Sequence, residues 1–364
     1  IFLGDSIEFV DSNLDAIDIT FDGAVLAIIL EPLYKVIDTV FEEGLSAELL
    51  TNTEFYNALV EIYKYVLSMT SVKEIVPSVI RTFVNDFAET NSNIIGTILE
   101  AIKINNITSD EIILDLFAIS QIAYQAQEYG NVNALVNDEE IILSTDLVDI
   151  LETILSFNII EKSFVNVVKA VSKDLLNVVL TSSYNYLDEK EIILTVVNDA
   201  IVVLNSLGIT TIEEIVPYLT EVKDGVTFDI ASVKSYLADG NFASAICSPL
   251  YTIATELNKV DQDALVGIFE TLADSKLITT VALAAYDQLF YSELTGIMST
   301  ICDLHDYPYI YLSHDLNAIA EIISIILDSK VLDMGITNEL PGEECITYID
   351  EILNVVAEME IVKI

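Results

Sequence analysis

Three stretches of this chain are variations on one another. Ala58–Ile80 (ALVEIYKYVLSMTSVKEIVPSVI) recurs as Asp146–Val168 (DLVDILETILSFNIIEKSFVNVV) and as Ala264–Tyr286 (ALVGIFETLADSKLITTVALAAY). Leu59, Leu147 and Leu265 fall in register, as do Val60, Val148 and Val266, then Ile62, Ile150 and Ile268. Ser68, Ser156 and Asp274 interrupt the apolar pattern at the same point, and a poorer copy, DEILNVVAEMEIVKI, begins at Asp350. Aliphatic residues at helical spacing, cut by a polar residue and resumed, describe a helix, a break and a second helix. So small a unit cannot hide its apolar face alone, so its recurrence calls for neighbours of the same kind.

A second helix type precedes each copy. Val25, Ile28, Ile29, Leu33, Val36, Ile37 and Val40 share one face of a helix that should stop at Gly44. The type returns over Glu111–Gly130, Glu191–Gly208 and Ala318–Gly335, each time closed by Gly, the residue that most easily takes the left-handed turn ending a helix. Pairing each Gly-closed helix with the following Leu-Val-x-Ile helix divides the chain. An acidic segment over 1–23 leads into units over 24–108, 109–189, 190–315 and 316–364, the third carrying an insertion near 209–262. The expected fold is all-α, with degenerate helical-hairpin repeats stacked as an α-solenoid-like array. The repeats lack the Trp, Gly and Pro positions of tetratricopeptide repeats and the Thr-Pro-Leu-His of ankyrins.

Local signals place the helix ends. Ser109 ahead of Glu111, and the pairs Asp188 with Glu191, Thr211 with Glu214 and Ser71 with Glu74, have the look of helix starts. Proline should interrupt. Pro32 falls inside an apolar period and predicts a kink or restart near Glu31, while Pro77 and Pro217, each in an EIVP tetrapeptide, predict a helix ending at Val76 and at Val216. Ser248-Pro249 reads as the opening of another helix.

The chain carries 15 Lys plus Arg against 59 Asp plus Glu, a formal net charge of −44, and its one Arg is Arg81. That balance excludes nucleic acid, whose phosphates need cations from the protein, and disfavours anionic membrane surfaces. It suits cationic partners, divalent cations, or plain solubility for a chain with 52% apolar residues and a mean hydropathy of +0.52. Self-repulsion on this scale predicts a melting temperature that rises with added salt. A flat or falling curve in a thermal scan would show the charges too dispersed to matter. Apolar runs such as Ala24–Leu30 and Ile322–Leu327 are broken by acids well short of a membrane span, so no transmembrane helix is expected. Three cysteines, Cys247, Cys302 and Cys345, make no disulfide framework.

Signs of chemistry are sparse. Asp11, Asn13, Asp15 and Asp22 fall at calcium-loop positions, but Ala16 replaces the turn glycine and Asp18 the apolar anchor, so a solvated acidic linker is the reading. Cys302-x2-His305 has a zinc-pair spacing, yet His314 and Cys345 supply no second pair, and His314 reads as part of a Ser-His-Asp cap on the helix after it. No cofactor or metal is expected. Two histidines nine residues apart and no nucleophile elbow leave a Ser-His-acid triad without support. Acid runs at Asp138-Glu139-Glu140 and Glu213-Glu214 are expected to be helix starts. Tyr307, Tyr309 and Tyr311, set about Pro308, form a rigid amphipathic patch suited to a protein partner.

The expectation is a non-enzymatic, acidic helical segment of a larger protein, cut from a long chain that suits a bacterial surface or a cytosol, with the lean to a bacterial cell surface or secretion, that binds another protein or acts as a spacer. Two other classes stand beside it: a carrier of an apolar ligand, suggested by the aliphatic excess, and a hydrolase using paired carboxylates.

Overall fold

The structure is a computed structural model. It describes residues 23–91, 93–177, 179–180, 183–225, 231, 234–235, 238–240, 242–282, 284, 309–328 and 343–363. The protein is all-α. Among the described residues fifteen α-helices can be bounded, with two short 3-10 turns and no strand, and one isolated antiparallel bridge joins Ile142 to Thr211. No helix among them is long and apolar enough to cross a membrane.

The chain separates into two compact units, Ile1–Asn137 with Phe157–Lys162, and Asp138–Ser156 with Ser163–Ile364. The first contains α1 (Gly23–Glu43), α2 (Thr53–Ser68), α3 (Thr70–Thr90), α4 (Ile94–Ile102), α5 (Ser109–Glu128) and α6 (Asn131–Asn137). Here α1 lies on α2, α2 on α5, and α3 on both α4 and α5. Ile104, Ile107 and Ile112 form a buried cluster closed by Ile80, Val84 and Leu116, and by Ile159. The next elements are α7 (Asp146–Leu155), α8 (Asn158–Leu176), α9 (Tyr186–Ser206), α10 (Ile212–Gly225) and α11 (Phe242–Leu257). They are followed by α12 (Gln262–Asp274), α13 (Tyr309–Asp328), α14 (Glu343–Glu358) and α15 (Glu360–Lys363). In the second unit α9 packs on α7 and α12, α12 on α13, and α13 on α14 and α15. Leu143, Ile201 and Ile209 are its buried cluster, held where the Leu143 N–H donates to the Thr210 carbonyl (2.7 Å).

Each of the three in-register stretches is a helix, a break and a helix. Ser68 is the last residue of α2, Ser156 caps α7, and Asp274 ends α12 with helix resuming at 276–282. A fourth break falls at Met359, between α14 and α15. All nine in-register Leu, Val and Ile positions are buried or half-buried. Helices α1, α5 and α9 are followed by Gly44, Gly130 and Gly208 at φ +80, +79 and +84, as the glycine reading expects; Gly335 lies outside the described residues.

Proline does not end or open helices where the sequence suggested. Pro32, Pro77, Pro217 and Pro249 all lie inside helices, α1, α3, α10 and α11, which continue across them. A proline removes one backbone hydrogen bond and crowds the preceding turn. At Pro32 and Pro77 the ring is buried, so packing on both sides of the defect offsets its cost. Helix starts shift too. The cap of α5 is Thr108, one residue ahead of Ser109, in a capping box with Glu111. The cap of α9 is Asn185, and Asp188 sits in the first turn accepting from the Asn185 side chain (3.0 Å). That helix begins early because Tyr186 is buried, with its hydroxyl donating to the Leu155 carbonyl, a tertiary contact no local signal announces. Ser71 is buried within α3 rather than capping it. The Thr211 and Glu214 pairing survives in part, as Glu214 accepts from the N–H groups of Thr210 (2.8 Å) and Thr211 (3.2 Å).

Candidate functional site

Three carboxylates are buried among the described residues, Asp115, Glu189 and Asp315, and all three do the same thing. Each projects from a long helix onto the first N–H groups of the helix that follows a break. Asp115 on α5 accepts through Oδ1 from the Asn158 N–H and side-chain amide (both 2.7 Å) and through Oδ2 from the Ile159 N–H (2.9 Å), at the start of α8. Glu189 on α9 accepts from the Ser275 hydroxyl (2.6 Å) and the Leu277 N–H (3.0 Å), between α12 and the helix over 276–282. Asp315 on α13 accepts from the Glu360 N–H (2.6 Å), opening α15. A helix start offers unpaired N–H donors and a partial positive charge, so a carboxylate brought to it from another helix satisfies both and joins the two elements. These buried carboxyl groups serve to hold the fold. The signal for Asp115 was present in the sequence as the lone acid in the apolar run Ile112–Phe117 (IILDLF), a position that should face the core.

Other acids serve at helix ends. Glu111, in the capping box of α5, also holds Lys162 at 2.5 Å. The Lys162 ammonium and the Thr108 donors bring its carboxyl from 4.5 down to about 2. Because the folded value lies below the unfolded one, this contribution to stability is complete above pH 4.5 and is lost as the pH falls towards 2. Glu111→Gln is therefore expected to flatten the acid limb of the stability profile across that window, read by denaturant unfolding at stepped pH. Glu213 accepts from the Ile141 N–H (3.2 Å), so the acids at 213–214 do stand at a helix start. Asp138, Glu139 and Glu140 do not: they follow the end of α6, with Asp138 at φ +57, where the chain turns towards the bridge at Ile142.

An open groove of about 590 Å³ in the second unit is lined by Asp188, Glu191, Glu270 and Asp274 with Thr195, Thr271 and Asn317. Its four carboxylates are all exposed. A glycosidase-type acid works from a buried, water-poor position, so this groove lacks the environment that sets two carboxyls apart. A second cavity, about 530 Å³ beside Lys103 and Asn105 in the first unit, is lined mainly by polar and charged groups. Among the described residues no three His, Cys, Asp or Glu side chains converge as a metal site would require.

Of the patch expected to bind a partner, Tyr307 lies outside the described residues; Tyr309 opens α13 and Tyr311 follows on it, and their side chains lie outside the described part as well. Asp11, Asn13, Asp15 and Asp22 lie outside it, as do Cys302, His305 and the side chains of Cys247 and Cys345. His314 is exposed, and the segment Ser313-His314-Asp315 sits within α13 rather than ahead of it. It is a joint instead of a cap for its own helix: Ser313 donates to the Ala273 carbonyl at the end of α12 (2.5 Å) while Asp315 reaches α15. No protein-family model, no curated protein and no solved structure matches this chain.

Proposed function

We propose that this chain is a non-enzymatic, acidic module of repeated helical hairpins, stacked in the manner of an α-solenoid, that binds another protein or spaces its neighbours. The observation that carries the reading is the use made of the buried carboxylates. Asp115, Glu189 and Asp315 are engaged on helix starts and so are committed to architecture. Each lies on the Gly-closed helix type, or on its counterpart α13, and clamps the break in the Leu-Val-x-Ile element that comes next along the chain: Asp115 within its own unit, Glu189 and Asp315 from the last residue of the unit before. The recurrence of this kind of joint three times along the chain supports a repeat whose sequence has drifted.

Binding is favoured over carriage of an apolar ligand by where surplus apolar side chains go. Leu30, Phe41, Leu135, Leu175 and Val216 are exposed rather than gathered about a cavity. The test pairs a turnover assay with a binding assay on the intact protein. Glycosides, esters and peptides are expected to persist unchanged, while cross-linking mass spectrometry finds a saturable protein partner. Hydrolysis that disappears in Asp188→Asn or Glu270→Gln would overturn the proposal.

A further inference from the structure

Helix α1 carries two apolar stripes, and among the described residues the fold covers one. Ile29, Pro32 and Val36 turn inward, with Ile29 at 9% exposure, on the side where α1 lies on α2. Leu30, Leu33, Tyr34, Ile37 and Phe41 are exposed, Tyr34 by 66% and Phe41 by 86%. At ~100° per residue these five fall within an arc of about 100°, centred roughly 115° round the helix from the covered stripe. They have the i, i+3, i+4, i+7 spacing of a helix-docking face and run about 17 Å along the axis. Such a ridge of aromatic and aliphatic side chains seldom stays in water.

What borders the ridge identifies what covers it. Glu31, Asp38 and Glu42 lie along its outer flank, all exposed, and the one cation there, Lys35, is already paired with Glu31 at 3.5 Å. A second copy of this chain would bring another net charge of −44 and a like acidic flank to the contact. An apolar face edged with Lys and Arg meets both the ridge and its border. We infer that the outer face of α1 is a docking surface for an amphipathic basic helix of another protein, with Tyr34 and Phe41 as its anchors. This rests on the protein-binding reading above and names the partner's chemistry.

The test titrates the intact chain with two synthetic helical peptides that share one leucine face, one edged with lysine and the other with glutamate. Saturable one-to-one binding of the lysine-edged peptide is expected, weakened at least about tenfold by Phe41→Ser or Tyr34→Ser. Binding should weaken with salt and with Asp38→Lys. Both serine variants alter exposed side chains, and circular dichroism with Leu30→Ser as a third variant guards against misfolding. Absence of binding overturns the inference, as does binding that the serine variants leave unchanged, which would be general attraction to a polyanion. Equal binding of the glutamate-edged peptide overturns it too, and so does a dimer that Phe41→Ser dissociates in light scattering. If these fail while cross-linking still finds a saturable partner elsewhere, the docking surface falls and the protein-binding reading stands.

Discussion

Glu189→Ala is expected to lower the free energy of unfolding by about 3–5 kcal/mol, a large share of the ~5–15 kcal/mol typical of a folded domain. The carboxylate is 2% exposed and its partner Ser275 is 0% exposed, so water cannot replace what is removed. Truncation strands the Ser275 hydroxyl and the Leu277 N–H, each worth about 1–3 kcal/mol when left unsatisfied. Removing the side chain also removes the cost of burying a charge, which holds the total below a worst-case sum. Glu189→Gln keeps the volume and one acceptor but presents an amide N–H₂ to a donor, so its loss should be smaller, about 1–2 kcal/mol. Urea denaturation gives the ranking, and amide exchange at 277–279 should accelerate in both variants. If Ala and Gln match the wild type, Glu189 is not a clamp.

Gly96→Ala should destabilise by about 2–3 kcal/mol, although helix propensity alone predicts a gain of about 1 kcal/mol for this change inside α4. A Cβ at Gly96 would stand 1.7 Å from the Asn91 carbonyl oxygen, 2.8 Å from its carbon and 3.3 Å from the Ala88 carbonyl oxygen. These are backbone atoms at the end of α3, and they cannot swing aside as a side chain can. Relief requires α4 to back away from α3, which loosens the contact by which the two helices pack. Gly267→Ala is the control. Its Cβ would meet only the tip of Asp199, at 3.1 Å, and a small rotation of that carboxylate leaves the change near neutral or favourable. Thermal unfolding of the two variants should move in opposite directions or differ by several degrees. Equal melting temperatures would show that the α3–α4 approach is looser than described.

Helical period, glycine stops and the position of the three in-register breaks were all legible, because each depends on a few consecutive residues. Ser68, Ser156 and Asp274 interrupt the apolar pattern where the helices do end. Proline was misread at Pro77, Pro217 and Pro249 for a related reason. Local chemistry states the cost of Pro77 in a helix but says nothing of the burial that offsets it. The docking face on α1 was half legible: Leu33 and Ile37 were assigned to the same stripe as Ile29 and Val36, whereas in the fold they turn outward while the other two turn in. A stripe that broad marked a helix with two partners to find, and only the packing on α2 shows which part is already covered.

The sequence by itself determined the all-α class, the helix–break–helix copies and the acidic character of the chain, since these are properties of composition and short-range period. Tertiary structure decided which acids matter. Asp115 and Asn158 are 43 residues apart, and Glu189 and Leu277 are 88 apart. Nothing in either neighbourhood names its partner, because a helix start accepts any carboxylate that folding brings to it, and folding brings the one whose helix packs alongside.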